Sequence, residues 1–176
     1  MNKQKYTIST QQLAIIGLLI AFKLVLSRLS IPISPENRLS FGFVGTAFLG
    51  TLYGPWIAGI ANVGSDLLTS ALFGNHGQFF TGFTFSAFLG GVFYGAFLHR
   101  ETVKWYHVLG AVLCNTLITN LFFNTLWVHI LYRAPIPALL FARVPQNLIM
   151  GPFRFLVIYF LLRTPQLQGI YRRLRV

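Results

Sequence analysis

Asp66 lies inside an apolar run, Pro55 to Phe73, long enough to cross a bilayer, and it is one of only three acidic residues in 176. A carboxylate at bilayer depth costs several kcal/mol unless another group answers its charge, so such a residue marks a site by default. Asn62 stands four residues earlier, on the same helical face. Two cations, Lys23 and Arg154, interrupt apolar runs of their own. Together these groups can bind a polar ligand. Alternatively, Asp66 and Arg154 can satisfy each other as a buried ion pair, and the residue types alone leave both readings open.

The elements that must position them are membrane spans. The chain is 55% hydrophobic and 10% charged, with a mean hydropathy of +0.63, whereas an ordinary soluble domain is about 25% charged. We expect an all-α integral membrane protein in which one compact bundle of six transmembrane helices takes up residues 1–176. The spans run approximately over 11–29, 39–53, 55–73, 79–98, 106–132 and 145–162. Ser30 to Arg38, with two prolines, reads as a loop, Gly54-Pro55 as a tight turn, and Ala138 to Arg143 as a short interfacial helix before the sixth span. Lys3, Lys5, Arg100, Lys104, Arg163, Arg172, Arg173 and Arg175 then fall on one side, which the positive-inside rule makes the cytoplasmic one, with both termini. The N-terminal run carries Lys23 and no small-residue cleavage pattern, so it reads as the first span rather than as a signal peptide.

In this topology Lys23, Arg28, Arg38, Arg133, Arg143 and Arg154 lie in the outer half or near the midplane, opposed only by Glu36 and Asp66. Snorkelling to headgroups is an ordinary fate for Arg28, Arg38 and Arg133. It does not cover Lys23 and Arg154, which lie well inside their spans. At 1.5 Å per residue, Arg154 is roughly 13 Å and Asp66 roughly 10 Å from the outer ends of their helices. All three fit one cavity open to the outside, and an excess of cations there suits an anionic ligand.

Other polar residues fall at helical spacing. Arg143, Asn147, Met150 and Arg154 share a face in the sixth span, with Gln146 beside it. Thr116, Asn120 and Asn124 stripe the fifth. Stripes of this kind commonly knit helices through hydrogen bonds worth about 0.6 kcal/mol each, and that reading is preferred for the fifth span. In the first span Ala14, Gly17 and Ala21 form a small-residue face, and Lys23 points roughly 200° away from Ala21. One face can dock another helix while the other lines the cavity. Phe73, Phe79, Phe80, Phe83, Phe85, Trp127 and Tyr132 crowd the outer ends, where some serve as an interfacial belt and a few can stack on a flat ring.

Several classes are disfavoured. The net charge of +11 sits at span ends and in the tail, without the interleaved surface a nucleic-acid partner needs. There is no phosphate-binding loop and no clustered histidine and carboxylate set, so neither ATP hydrolysis by that route nor a metal site is expected, and no cofactor. The lone Cys114 reads as an apolar filler.

In order and length, RLSIPIS followed by NRLSFGFVGTAFLGTLYGP (Arg28 to Pro55), ANVGSDLL, GQFFTGFTFSAFLGGVFYG (Gly77 to Gly95), NTLWVHILY (Asn124 to Tyr132) and RVPQNLIMGPFRFLVIYFLL (Arg143 to Leu162) resemble the substrate-binding S-components of energy-coupling factor (ECF) vitamin transporters, most closely the folate-specific family. The resemblance implies six helices around a vitamin pocket near the outer surface of a bacterial cytoplasmic membrane. It also implies docking onto a transmembrane coupling protein that sits on two cytoplasmic ATPases, through a face like that of Ala14, Gly17 and Ala21. No catalysis of its own is implied. For folate, Asp66 with Asn62, Gln146 and Asn147 would address the pterin; Arg154, Lys23 and Arg28 would hold carboxylates or balance Asp66; Phe79, Phe80, Phe83 and Trp127 would pack on the rings. Pantothenate or a hydroxymethylpyrimidine is the alternative within the family. A small intramembrane lipid-modifying enzyme, or a purely structural subunit, is the alternative outside it.

Overall fold

A computed structural model describes residues 9–28, 30–34, 37–73, 80–100 and 102–164, with side chains described outside 30–39 and 73. Helices carry the fold. They are α1 (Thr10–Arg28), α2 (Gly42–Phe73), α3 (Thr81–Leu98), α4 (Trp105–Cys114), a π-helix (Asn115–Phe123), α5 (Asn124–Tyr132) and α6 (Ile136–Arg163). Among the described residues five stretches are long and apolar enough to cross a membrane, with α4, the π-helix and α5 counting together as one.

α2 is not straight. Gly54 takes φ 77° and ψ −175°, a conformation open to glycine and strained for any residue with a Cβ. Pro55 follows, its fixed φ suited to the first position of a new helix. The two halves fold back on each other, because Thr46 Oγ1 donates to Asn62 Oδ1 at 3.0 Å. Sixteen residues along an unbroken helix would hold these groups about 24 Å apart. The turn at Gly54-Pro55 therefore falls where the sequence places it. This pair is the centre of the molecule: 67% of its most apolar 18-residue stretch is buried, against 6% for that of α1 and 11% for that of α6.

α3 packs directly on both halves. A Cβ on Gly91 would lie 2.5 Å from the Ala58 carbonyl oxygen, so the backbones touch there. His99 Nδ1 meets the Thr51 carbonyl at 3.0 Å and ties the end of α3 to the first half of α2. One apolar core gathers Tyr94, Leu98, Val108, Ala111, Val112 and Ile158 between α3, α4 and α6. A second joins Ile16 of α1 to Leu49, Leu52, Tyr53, Ala58 and Ala61 of α2.

Two expectations are revised. The segment after α1 is not all loop: β1 (Ser30–Ser34) and β2 (Asn37–Ser40) form an antiparallel hairpin. Its register shifts between Pro32 and Ser34, next to the residue that has no N–H for the ladder. The short helix expected at 138–143 is instead continuous with the last span, α6 running through Pro145 and Pro152. The charged tail, Glu36 and the loop at 74–77 lie outside the described residues.

Candidate functional site

A cavity of about 280 Å³ opens among α1, α2, α3 and the π-helical stretch. Each element adds a different kind of group. α1 supplies Lys23; the two halves of α2 supply Phe43, Thr46, Asn62 and Asp66. α3 supplies Phe83, Ser86, Ala87, Gly90 and Tyr94. The fifth span supplies Asn115, Thr119, Asn120 and Asn124. Among the described residues, most of the buried polar side chains stand on this wall, namely Thr46, Asn62, Ser86, Asn115 and Thr119. In an apolar bundle that concentration sets the site apart from the two cores.

Lys23 reaches the cavity because Gly45 lets α1 come close. A Cβ at position 45 would fall 2.6 Å from the Lys23 Cβ and 3.1 Å from its Cα. The Lys23 ammonium donates to Asn62 Oδ1, which also accepts from Thr46 Oγ1. One carbonyl oxygen thus fixes a cation from α1 and a hydroxyl from the other half of α2. Asn62 Nδ2 is left without a hydrogen-bond partner. Asp66, one turn further on, accepts from Thr84 Oγ1 of α3 at 2.8 Å.

Arg154 does not pair with Asp66. Its guanidinium lies over the Phe43 ring, 5.9 Å from the centroid, and its buried Nε has no hydrogen-bond partner. Since Phe43 itself lines the cavity, Arg154 stands just behind the wall. The ion-pair reading of Asp66 and Arg154 is thereby replaced: the hydrogen bond to Asp66 comes from Thr84, and the carboxylate still lines the cavity.

The remaining expected residues divide. Phe83 lines the cavity. Phe80 and Trp127 form an aromatic wall beside it: their ring centroids are 5.7 Å apart, and Trp127 stacks on Phe123 at 5.8 Å. Trp127 Nε1 donates to Ser86 Oγ at 3.0 Å, so this wall is bonded to a cavity residue. Phe79 lies outside the described residues. Arg28, at the exposed end of α1, does not line the cavity. Asn147 turns away: Nδ2 donates to the Arg143 carbonyl of its own helix at 2.9 Å, and the residue borders a separate apolar groove of about 530 Å³ between the 109–121 stretch and α6. Gln146 is half-buried and borders neither space. Arg143 donates to the Asn120 carbonyl at 3.4 Å, and Arg133 is exposed at the end of α5. The cationic excess at the cavity narrows to Lys23 with Arg154 behind it.

Ala14, Gly17 and Ala21 are exposed, on the side of α1 away from Ile16 and Lys23. No atom comes within 4 Å of where a Gly17 Cβ would stand.

Residues that sequence spacing did not select include Thr46, Thr84, Ser86, Asn115 and Thr119. A threonine or serine in an apolar span carries little signal, since its hydroxyl can bond its own helix, as Thr51 does to the Ala47 carbonyl. Asn120 and Asn124, expected to knit helices together, instead line the cavity.

A polar, cation-bearing cavity enclosed by apolar helices describes a membrane protein that binds a small polar molecule. The family of substrate-specific components of ECF transporters matches residues 11–162, and the chain belongs to that family. The family is one of transporter components and not of enzymes. Among relatives, the chain is 38% identical over 141 residues to the folate transporter FolT of Clostridium novyi (strain NT), covering 80% of this chain and 81% of that one. It is 33% identical over 164 residues to the folate transporter FolT of Leuconostoc mesenteroides, with 89% and 87% covered. Among solved structures, that of FolT bound with folic acid superposes with a TM-score of 0.81 at 31% identity, over 87% of this chain and 93% of that one.

Proposed function

We propose that this protein captures folate, or a close analogue, from outside a bacterial cytoplasmic membrane. It delivers the vitamin inward as part of an ATP-driven ECF importer, with a transmembrane coupling protein and two cytoplasmic ATPases. In this reading α1, the two halves of α2, α3, the 105–132 span and α6 are the six helices of the membrane bundle, with both termini cytoplasmic. The observation that carries it is the cavity: Asp66, Asn62 and Lys23 converge on one space, beside an aromatic wall and with Arg154 behind. The FolT relatives and the folic-acid-bound FolT structure support the choice of vitamin.

The chemistry fits the parts of folate. A pterin presents parallel N–H donors that one carboxylate can accept, and Asp66 is the carboxylate at hand. Its Thr84 bond uses Oδ2, leaving lone pairs on both oxygens for a ligand. Lys23 and Arg154, the cations at and behind the cavity, balance the charge of Asp66. At about 280 Å³ the cavity falls near the lower end of small-molecule sites, ~300–1,000 Å³. It holds a bicyclic ring and leaves the glutamate to extend beyond it.

Calorimetric titration of purified protein tests the reading. Sub-micromolar folate affinity is expected. Asp66→Asn keeps an acceptor for Thr84 and removes the charge, and should weaken binding about 10- to 100-fold, the loss of a charge-assisted hydrogen bond of about 1.5–3 kcal/mol. Unchanged affinity in Asp66→Asn removes Asp66 from the site. Tight binding of pantothenate or a hydroxymethylpyrimidine in place of folate refutes the choice of vitamin.

A further inference from the structure

The fifth span is wound two ways. Between α4 and α5, Asn115–Phe123 is π-helical, and the Asn124 N–H bonds to the Thr119 carbonyl, five residues back. Such winding is uncommon, and where it occurs inside an α-helix it frequently marks a functional site. Here its effect on side-chain direction can be worked out. An α-helix turns roughly 100° per residue, so Asn115 and Asn124, nine apart, would face opposite ways. Closure over five residues turns roughly 80° per residue and brings the two within about 20° of each other, with Thr119 and Asn120 on either side. All four line the cavity, whereas Thr116, off this face, borders the apolar groove.

The hydrogen bonds along this face are half spent. Asn124 Nδ2 donates to Asn120 Oδ1 at 3.4 Å, and Asn120 Nδ2 donates to the Asn115 carbonyl at 3.3 Å. Asn120 is thereby occupied. Asn124 Oδ1 and Thr119 Oγ1 are buried with no hydrogen-bond partner. A buried polar atom left unpaired is destabilising, and an unpaired acceptor and an unpaired hydroxyl on two residues that line one cavity point to a ligand that completes them.

We propose that the π-wound wall is the specificity determinant of the cavity. Asn124 Oδ1 accepts an N–H from the bound ring, and the Thr119 hydroxyl bonds the neighbouring ring nitrogen or carbonyl. The wall selects a flat heterocycle whose edge carries a donor beside an acceptor. This rests on the reading that the cavity binds the ring of folate, with Asp66 gripping the adjacent edge, so that the second amino N–H and the ring nitrogen beside it meet the wall.

Folate and free pterin are titrated against wild type, Thr119→Val, Asn124→Leu and Thr119→Ser in detergent, each variant checked by thermal unfolding. Thr119→Val and Asn124→Leu should each weaken both ligands about 10-fold or more, whereas Thr119→Ser, which keeps the hydroxyl, stays within about threefold. Thr119→Ala replaces the valine variant if that one does not fold. Folded variants that bind folate like wild type overturn this proposal and leave the choice of vitamin standing, as does a serine variant that loses as much as the valine. A wild-type protein that binds neither folate nor pterin overturns both.

Discussion

Replacing Asn62 with leucine should destabilise the protein far more than its single side chain suggests. Asn62 is 1% exposed, and its Oδ1 is the acceptor both for the Lys23 ammonium and for Thr46 Oγ1. Losing the bond to a charged donor costs about 1.5–3 kcal/mol and losing the neutral one about 1, for a total of about 2.5–4 kcal/mol. At about 2–4 °C per kcal/mol for a chain of this length, the unfolding midpoint should fall by about 5–15 °C. Most of this loss is the broken bond to the lysine, which then keeps only the nearby charge of Asp66. Lys23→Met in the same chain should therefore restore at least half, since removing both partners of a buried pair can be close to neutral. The assay is a double-mutant cycle on purified, ligand-free protein, following intrinsic fluorescence on heating. Two single effects that add to the double within about 0.5 kcal/mol would refute the reasoning, because additivity means that the two groups do not interact.

Gly54→Ala should lower stability by about 1–3 kcal/mol without touching any cavity residue, because a Cβ is strained at φ 77°, ψ −175°; an unfolding midpoint equal to wild type would contradict this backbone geometry. Gly45→Ala should shift Lys23, with about 1–3 kcal/mol of overpacking and a weaker ligand affinity, read by calorimetry. Gly17→Leu meets no neighbour, so it should leave stability and folate affinity unchanged; in cells it should sharply reduce folate uptake, and normal uptake would argue against docking through this face. Trp127 is bonded to a cavity residue, so folate should change its emission, and Trp127→Phe should abolish most of that response.

Much of the site was legible in the sequence because the membrane makes polar residues conspicuous. Lys23, Asn62 and Asp66 were each out of place in an apolar run, and they meet at one cavity. The turn at Gly54-Pro55 was readable from two residues whose backbone preferences leave few options. The partner of Asp66 was not, because Thr84 comes from α3 and depends on the close approach of α3 to α2 at Gly91. The polar face of the fifth span was misread for a geometric reason: counting by 3.6 sets Asn115 and Asn124 on opposite sides, and only the wider winding unites them. In α6 the face of Arg143, Asn147, Met150 and Arg154 did not act as a unit. Asn147 satisfied its amide on its own helix, and its side chain was free to border apolar space.

The fold-back at Gly54 also bears on how deep Asp66 really is. Thr46 and Asn62 sit at equal distances from the turn and bond to each other, so by the same count Gly42, the first residue of α2, is level with Asp66. The 42–53 half is about 18 Å long, well short of a hydrocarbon core of ~30 Å. Before Gly42 the chain runs as a β-hairpin rather than as a lipid-spanning helix. Asp66 thus lies level with the start of the shorter half of α2, not midway along a full-length span.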